Sequence, residues 1–136
     1  KVLLELAGGP KDDVAVDAIT CLGRIKAPGA GRDLLTVLNA AKGEKRLMAC
    51  CLALGQIGDP DCLTPLADIV RHKGSFFRRR RYNADVKAAA AYAIGQIRHP
   101  QSDEIMAEFM NHPEPRINQI AVSNRQGTGP SPQRRQ

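Results

Sequence analysis

The stretch Cys51-Leu-Ala-Leu-Gly-Gln-Ile57 decides the fold, because the chain carries the same pattern three times. Ile19-Thr-Cys-Leu-Gly-Arg-Ile25 precedes it and Ala91-Tyr-Ala-Ile-Gly-Gln-Ile97 follows it, with the glycines at 23, 55 and 95. Self-similarity at this period means stacked units, each closing its apolar seam against its neighbours rather than around one central core.

Alignment on the glycines shows what each unit is made of. Just before the glycine stand Leu22, Leu54 and Ile94, and two before it Cys21, Ala53 and Ala93. Five before it are Ala18, Cys50 and Ala90, and two after it Ile25, Ile57 and Ile97. Further on, the pairs Leu34-Leu35, Leu66-Ala67 and Met106-Ala107 are followed by Val37-Leu38, Ile69-Val70 and Phe109-Met110. Apolar slots at i, i+1, i+3 and i+4 form one stripe on an α-helix and would scatter over both faces of a strand. Each unit therefore reads as a first helix ending near the glycine, a turn, and a second amphipathic helix.

Ala88 to Ile94 holds no charge, so the first helix must be covered on several sides. Its recurring small residues let backbones approach, and the glycine marks a helix end or a packing gap. In the turns, Gly58-Asp59-Pro60 offers Asp59 as N-cap and Pro60 as first helical residue. Ala27-Pro28 and His99-Pro100-Gln101-Ser102 hold the same place in the other units. No alternating run of strand length appears, and the fold class is all-α.

Val86 to Ile97, and Ala49 to Pro60 with its Ala-Leu-Gly-Gln-Ile-Gly-Asp-Pro ending, resemble the short bacterial HEAT-like repeat, a type also seen in phycobilisome lyase subunits. The resemblance covers about residues 1 to 122. It implies an α-solenoid, a right-handed superhelix of antiparallel helix pairs in about three and a half repeats, whose second helices line a concave surface used for protein partners. Only the middle unit has the full Gly-Asp-Pro, and the basic residue usual after the helix-opening valine is present only as Lys87. Nothing matches a bilin-handling site, so no lyase residue is carried over.

The repeat domain spans residues 1–124. Val2, Leu3 and Leu6 fall on the slots of Leu34, Leu35 and Leu38, so the chain opens inside a second helix and is expected to be a piece of a longer protein. After Pro113 and Pro115, Ile117, Ile120, Ala121 and Val122 start a further helix, but Arg125 and Gln126 precede Gly127 and make that unit degenerate. Residues 125–136 have no apolar side chain able to anchor them and read as a flexible tail.

The glycine spacing is 32 residues and then 40, and the excess lies between Val70 and Val86. Residues 71 to 87 hold seven Lys or Arg against one Asp, a net of +6 that equals the formal charge of the whole chain. The basicity is therefore local. Phe76 and Phe77, Arg78, Arg79, Arg80 and Arg81, and Tyr82 form its centre, with three of the five aromatics of the chain beside four arginines. That pairing suits phosphates and stacked bases, so nucleic-acid or anionic-surface binding is one expected function. The plainer reading pins the loop to the solenoid by its phenylalanines and leaves the arginines solvated.

At 136 residues the chain is one domain that buries about two-thirds of its unfolded surface. No apolar run is long enough for a membrane span. Cys21, Cys50, Cys51 and Cys62 form no Cys-x-x-Cys pair and read as small buried thiols of a reducing cytoplasm. His72, His99 and His112 stand apart in or beside turns, without metal-ligand spacing. No phosphate loop or nucleophile elbow is present. Asp68, Asp103, Glu104 and Glu108 could face one another as an acid/base pair, but they fit a solvated helix face better. A repair-enzyme variant of the fold would need an aromatic cleft that a chain without Trp hardly supplies.

The expectation is thus a non-catalytic scaffold without metal or cofactor. Its partner is another protein or an attached upstream domain, and small-molecule substrates are not expected. The expected partner surface is the polar row of the second helices: Asp33, Thr36, Asn39, Asp68, Arg71, Asp103, Glu104 and Glu108.

Overall fold

A computed structural model describes residues 2–26, 29–41, 43–71 and 83–127. Among the described residues eight α-helices follow one another: α1 (Val2–Ala7), α2 (Asp12–Ile25), α3 (Ala30–Ala40), α4 (Glu44–Ile57), α5 (Leu63–Arg71), α6 (Ala84–Gln96), α7 (Pro100–Phe109) and α8 (Pro115–Gly127). A short 3-10 turn, Pro60–Cys62, leads into α5, and no strand occurs among the described residues. The protein is an all-α solenoid. The helix α8 extends to Gly127, three residues into the segment read as a tail from its sequence.

The helix ends are set by local chemistry. Asp12 and Asp13 put negative charge at the positive end of α2. That helix stops where Lys26 turns left-handed at φ 54° and donates its N–H to the Leu22 carbonyl. At the same place after α4, Gly58 takes φ 76° at no steric cost and donates to Leu54. The next helix then opens as its sequence implies. Asp59 Oδ1 accepts the Asp61 N–H at 2.9 Å, with Pro60 in the first turn. In the following unit His99 Nδ1 accepts the Gln101 N–H at 3.1 Å, with Pro100 beside it. Asn83 caps α6 by accepting the Val86 N–H at 2.9 Å. Ala27 and Pro28 lie outside the described residues.

The helices stack in two rows. In one, α2, α4, α6 and α8 lie side by side; in the other, α1, α3, α5 and α7 cover them. Each covering helix packs chiefly on the helix after it, α1 on α2, α3 on α4, α5 on α6 and α7 on α8. The unit of packing is therefore out of phase with the unit of sequence, in which the glycine helix came first. The excess residues of the longest spacing fall between α5 and α6, inside one packed pair.

Leu22, Leu54 and Ile94 are all buried, within one continuous apolar cluster. The second-helix stripe behaves likewise: Leu34, Leu38, Leu66, Ala67, Ile69, Val70, Met106 and Phe109 are buried, and Leu35, Val37, Ala107 and Met110 half-buried. On α6, Val86, Ala88 to Ala91, Ala93 and Ile94 are buried because α4, α5, α7 and α8 surround it.

Two slots depart from the pattern at the first unit. Ala53 and Ala93 are buried, but Cys21 in the same slot is exposed, which corrects the expectation of four buried thiols. Ala53 and Ala93 are each covered by the glycine helix of the preceding unit. No described glycine helix precedes α2, so Cys21 has no such cover. Ile25 is 59% exposed, while its counterpart Ile97 is buried.

Candidate functional site

The expected second-helix residues are all exposed: Asp33, Thr36 and Asn39 on α3, Asp68 and Arg71 on α5, and Asp103, Glu104 and Glu108 on α7. The fold brings Arg71 and Glu108 together as a two-pronged ion pair. Nη2 lies 2.7 Å from Oε1, and Nε 2.8 Å from Oε2. Asp68 stands 3.8 Å from the same guanidinium. The Arg71 hydrogen bonds hold the Glu108 carboxyl below its usual range, against a partial desolvation, with the charges of Arg71 and His112 adding to the effect. Glu108 is thus a neutralised strut between α5 and α7, not a proton-exchanging group near neutral pH. Thr36 Oγ1 turns back to its own helix, donating to the Arg32 carbonyl. Phe76, Phe77, Arg78 to Arg81 and Tyr82 lie outside the described residues.

The covering helices α1, α3, α5 and α7 meet one another sparsely, whereas α2, α4 and α6 approach closely. The cause is the glycine. A β-carbon on Gly23 would stand 2.9 Å from Ala53 Cα, and one on Gly55 2.8 Å from Ala93 Cα. In a curved stack the inner row is the one with the tighter spacing. The glycine helices therefore form the close-set row, the position an inner row would take, and the second helices form the more widely spaced one.

The missing β-carbons also seat a side chain. Gln56 Oε1 lies 2.6 Å from the position a Gly23 Cβ would take, and Gln96 Oε1 lies 2.6 Å from that of Gly55. In the last unit Asn124 takes this place over Gly95 and donates to its carbonyl at 3.2 Å. The result is a row of amides along the C-terminal ends of the close-set helices. Gln56 and Gln96 floor a groove of about 550 Å³ that passes Gly23, Gly55 and Gly95 and is bordered by Arg24, Lys26 and Arg98. The groove shares Gly95, Gln96 and Arg98 with a wider hollow of about 620 Å³ between α6 and α8, where Tyr92 and Ile120 supply apolar walls. Beside the groove, Leu52 and Tyr92 occupy the same slot of adjacent units and are 39% and 52% exposed.

The two edges of this face differ. At the N-terminal ends the units are tied to one another: Arg46 Nε to Asp12 Oδ1 at 2.9 Å, Asn83 Nδ2 to Glu44 Oε1 at 2.8 Å, and Arg116 to Asp85. The Arg116 hydrogen bond and charge hold the Asp85 carboxyl below its usual range. At the C-terminal edge, no described residue hydrogen-bonds or ion-pairs with the side chains of Arg24, Lys26, Gln56, Gln96 or Arg98. Composition does not reveal this difference. The signal available in sequence was the lone polar slot after each glycine, Arg24, Gln56 and Gln96, in an otherwise apolar stretch.

Reactive chemistry finds little support among the described residues, where no group of three or more His, Cys, Asp or Glu could hold a metal ion. Burial pushes the thiols of Cys50 and Cys51 up to about 12, the Arg46 charge pulling the first back slightly and Cys50 adding to the rise of the second. Burial, then Asp59 and Asp61, pushes Cys62 up to about 11. Thiols so protonated are poor nucleophiles at neutral pH. No described helix is long and apolar enough to cross a membrane.

Residues 1–83 match the HEAT repeats family. The chain belongs to that family. Residues 86–112 match the PBS lyase HEAT-like repeat, so the two matches meet at the start of α6 in this HEAT-repeat chain. No curated protein matches the chain.

Proposed function

We propose that this HEAT-repeat chain is a non-catalytic protein-interaction scaffold that holds its partner on the inner face of α2, α4, α6 and α8. HEAT repeats commonly serve as interaction scaffolds, which supports the class of function. One observation selects the face: side chains at equivalent slots of successive units line one groove and have no partner within the described fold. Exposed apolar residues at a second repeated slot, Leu52 and Tyr92, add burial energy of about 25 cal/mol per Å² to whatever covers them. The second-helix row is the weaker alternative, because its strongest charges, Arg71 and Glu108, already satisfy each other. A cytoplasmic setting, drawn from four free thiols, forms part of the same proposal.

Photo-crosslinking from single sites tests the face. A photoreactive residue at 52 or 92 should capture partner in cells, and one at 36 or 104 should not. Capture from 36 and 104 alone would transfer the function to the second-helix row.

A further inference from the structure

We infer that the groove over Gly23, Gly55 and Gly95 takes an extended, acidic polypeptide segment that also carries one apolar side chain. The inference rests on the inner face being the partner surface and names the chemistry of what it holds.

Charge selects an acidic occupant. Arg24 and Lys26 stand at one end of the groove and Arg98 at the other, with no carboxylate along it. The C-terminal ends of three helices oppose an anion there, but each is worth only about half a negative charge. Three cations against about −1.5 leave the groove positive. Among the residues lining either space the one carboxylate is Asp103, which borders the wider hollow rather than the groove.

Shape selects an extended chain. Gln56 and Gln96 present a carbonyl and an amide each, the complement of a peptide group, at the spacing of neighbouring helices. With helices about 8–10 Å apart, that spacing equals about three residues of extended chain at 3.3 Å each. Crossing from Arg24 to Arg98 then takes about five or six residues, so the acidic residues should stand about that far apart. The hollow with Tyr92 and Ile120 opens off the groove beyond Gln96 and suits an aliphatic or aromatic side chain. A nucleic acid would use the same cations but leave that apolar hollow unfilled, and three phosphate contacts are few for stable binding.

Selection of random displayed peptides of about twelve residues against the full chain provides the test. The expected outcome is enrichment of sequences with Asp or Glu about five residues apart and an apolar residue near one of them. The enriched peptide should lose affinity at least tenfold against the Arg24→Glu/Arg98→Glu double variant and about threefold or more against Gln56→Ala/Gln96→Ala. All four positions sit on helix ends or exposed turns, and circular dichroism confirms that the variants remain folded. Enrichment of basic or uncharged peptides, no enrichment, or tighter binding of an oligothymidylate of similar length would each overturn the inference. If peptides fail while crosslinks from residues 52 and 92 persist, the scaffold reading stands and only the acidic specificity falls.

Discussion

Gly23 lies under Ala53 so closely that a β-carbon at residue 23 would stand 2.9 Å from both the Cα and the Cβ of that alanine. The same relationship joins Gly55 to Ala93. Backbone as well as the pliable glutamine amide fills the space, so neighbouring units are held at a separation only glycine permits.

Gly55→Ala and Gly95→Ala should therefore have different consequences. In either helix alanine gains about 0.8–1 kcal/mol of propensity over glycine. At 55 that gain is set against overpacking of Ala93 backbone, about 1–3 kcal/mol or more, and the melting temperature should fall. At 95 a new methyl meets chiefly the amide of Asn124, which can swing away with loss of its bond to the Gly95 carbonyl. Thermal denaturation of Gly95→Ala should show a change within about 1 kcal/mol of zero. Equal destabilisation by both variants would contradict the spacing argument.

Leu54→Ala removes a fully buried side chain in the middle unit, and urea denaturation should show a loss of about 2–5 kcal/mol. Leu52→Ala, two residues away on the exposed side of the same helix, should cost well under half as much. A similar loss for both would mean that the inner face is covered within the chain itself.

The four thiols should divide into one and three. At neutral pH a thiol reagent should modify Cys21 quickly in the folded chain and the buried Cys50, Cys51 and Cys62 only as the chain opens. Raised folded pKa values also set an alkaline limit. Their stabilising contribution is complete below about pH 9, where unfolded thiols begin to ionise, and is lost as pH rises toward the folded values of about 11 to 12. Stability of the wild type should therefore fall between about pH 9 and 12, and more gently after all three cysteines become alanine. Rapid labelling of Cys51 in native conditions would count against its burial.

Glu108 sets a smaller acid limit. Its lowered carboxyl pKa means that the link to Arg71 is intact above the unfolded value and disappears as pH falls through the folded one. With the two side chains 42% and 49% exposed, Glu108→Gln should cost no more than about 1 kcal/mol at neutral pH and nothing measurable once the carboxylate is protonated. Chemical denaturation at neutral pH and below pH 4 compares the two states. A larger deficit in acid than at neutrality would reverse the assignment.

Much of the architecture was readable in residue order. The apolar slots around Leu22, Leu54 and Ile94 have a helical period, and such a period is a local property that one chain segment carries on its own. The cap at Asp59 is local too, since it acts within two residues. The exposed state of Cys21 was not readable, because cover at that slot comes from the preceding unit rather than from the helix that bears it. Nor was the pairing of Arg71 with Glu108, which joins residues 37 positions apart on different helices.

Residue order by itself therefore determined that this chain forms paired helices in register, with a glycine, an aliphatic residue and a polar residue at fixed places in each. Only the tertiary structure decided that the glycine helices form the close-set row, and that Arg24, Lys26 and Arg98 flank a groove with no described side chain to neutralise them. The reason is physical. Periodicity states that a side chain is buried, whereas the distance between rows depends on contacts such as Gly23 with Ala53, made across units and settled only when the helices stack.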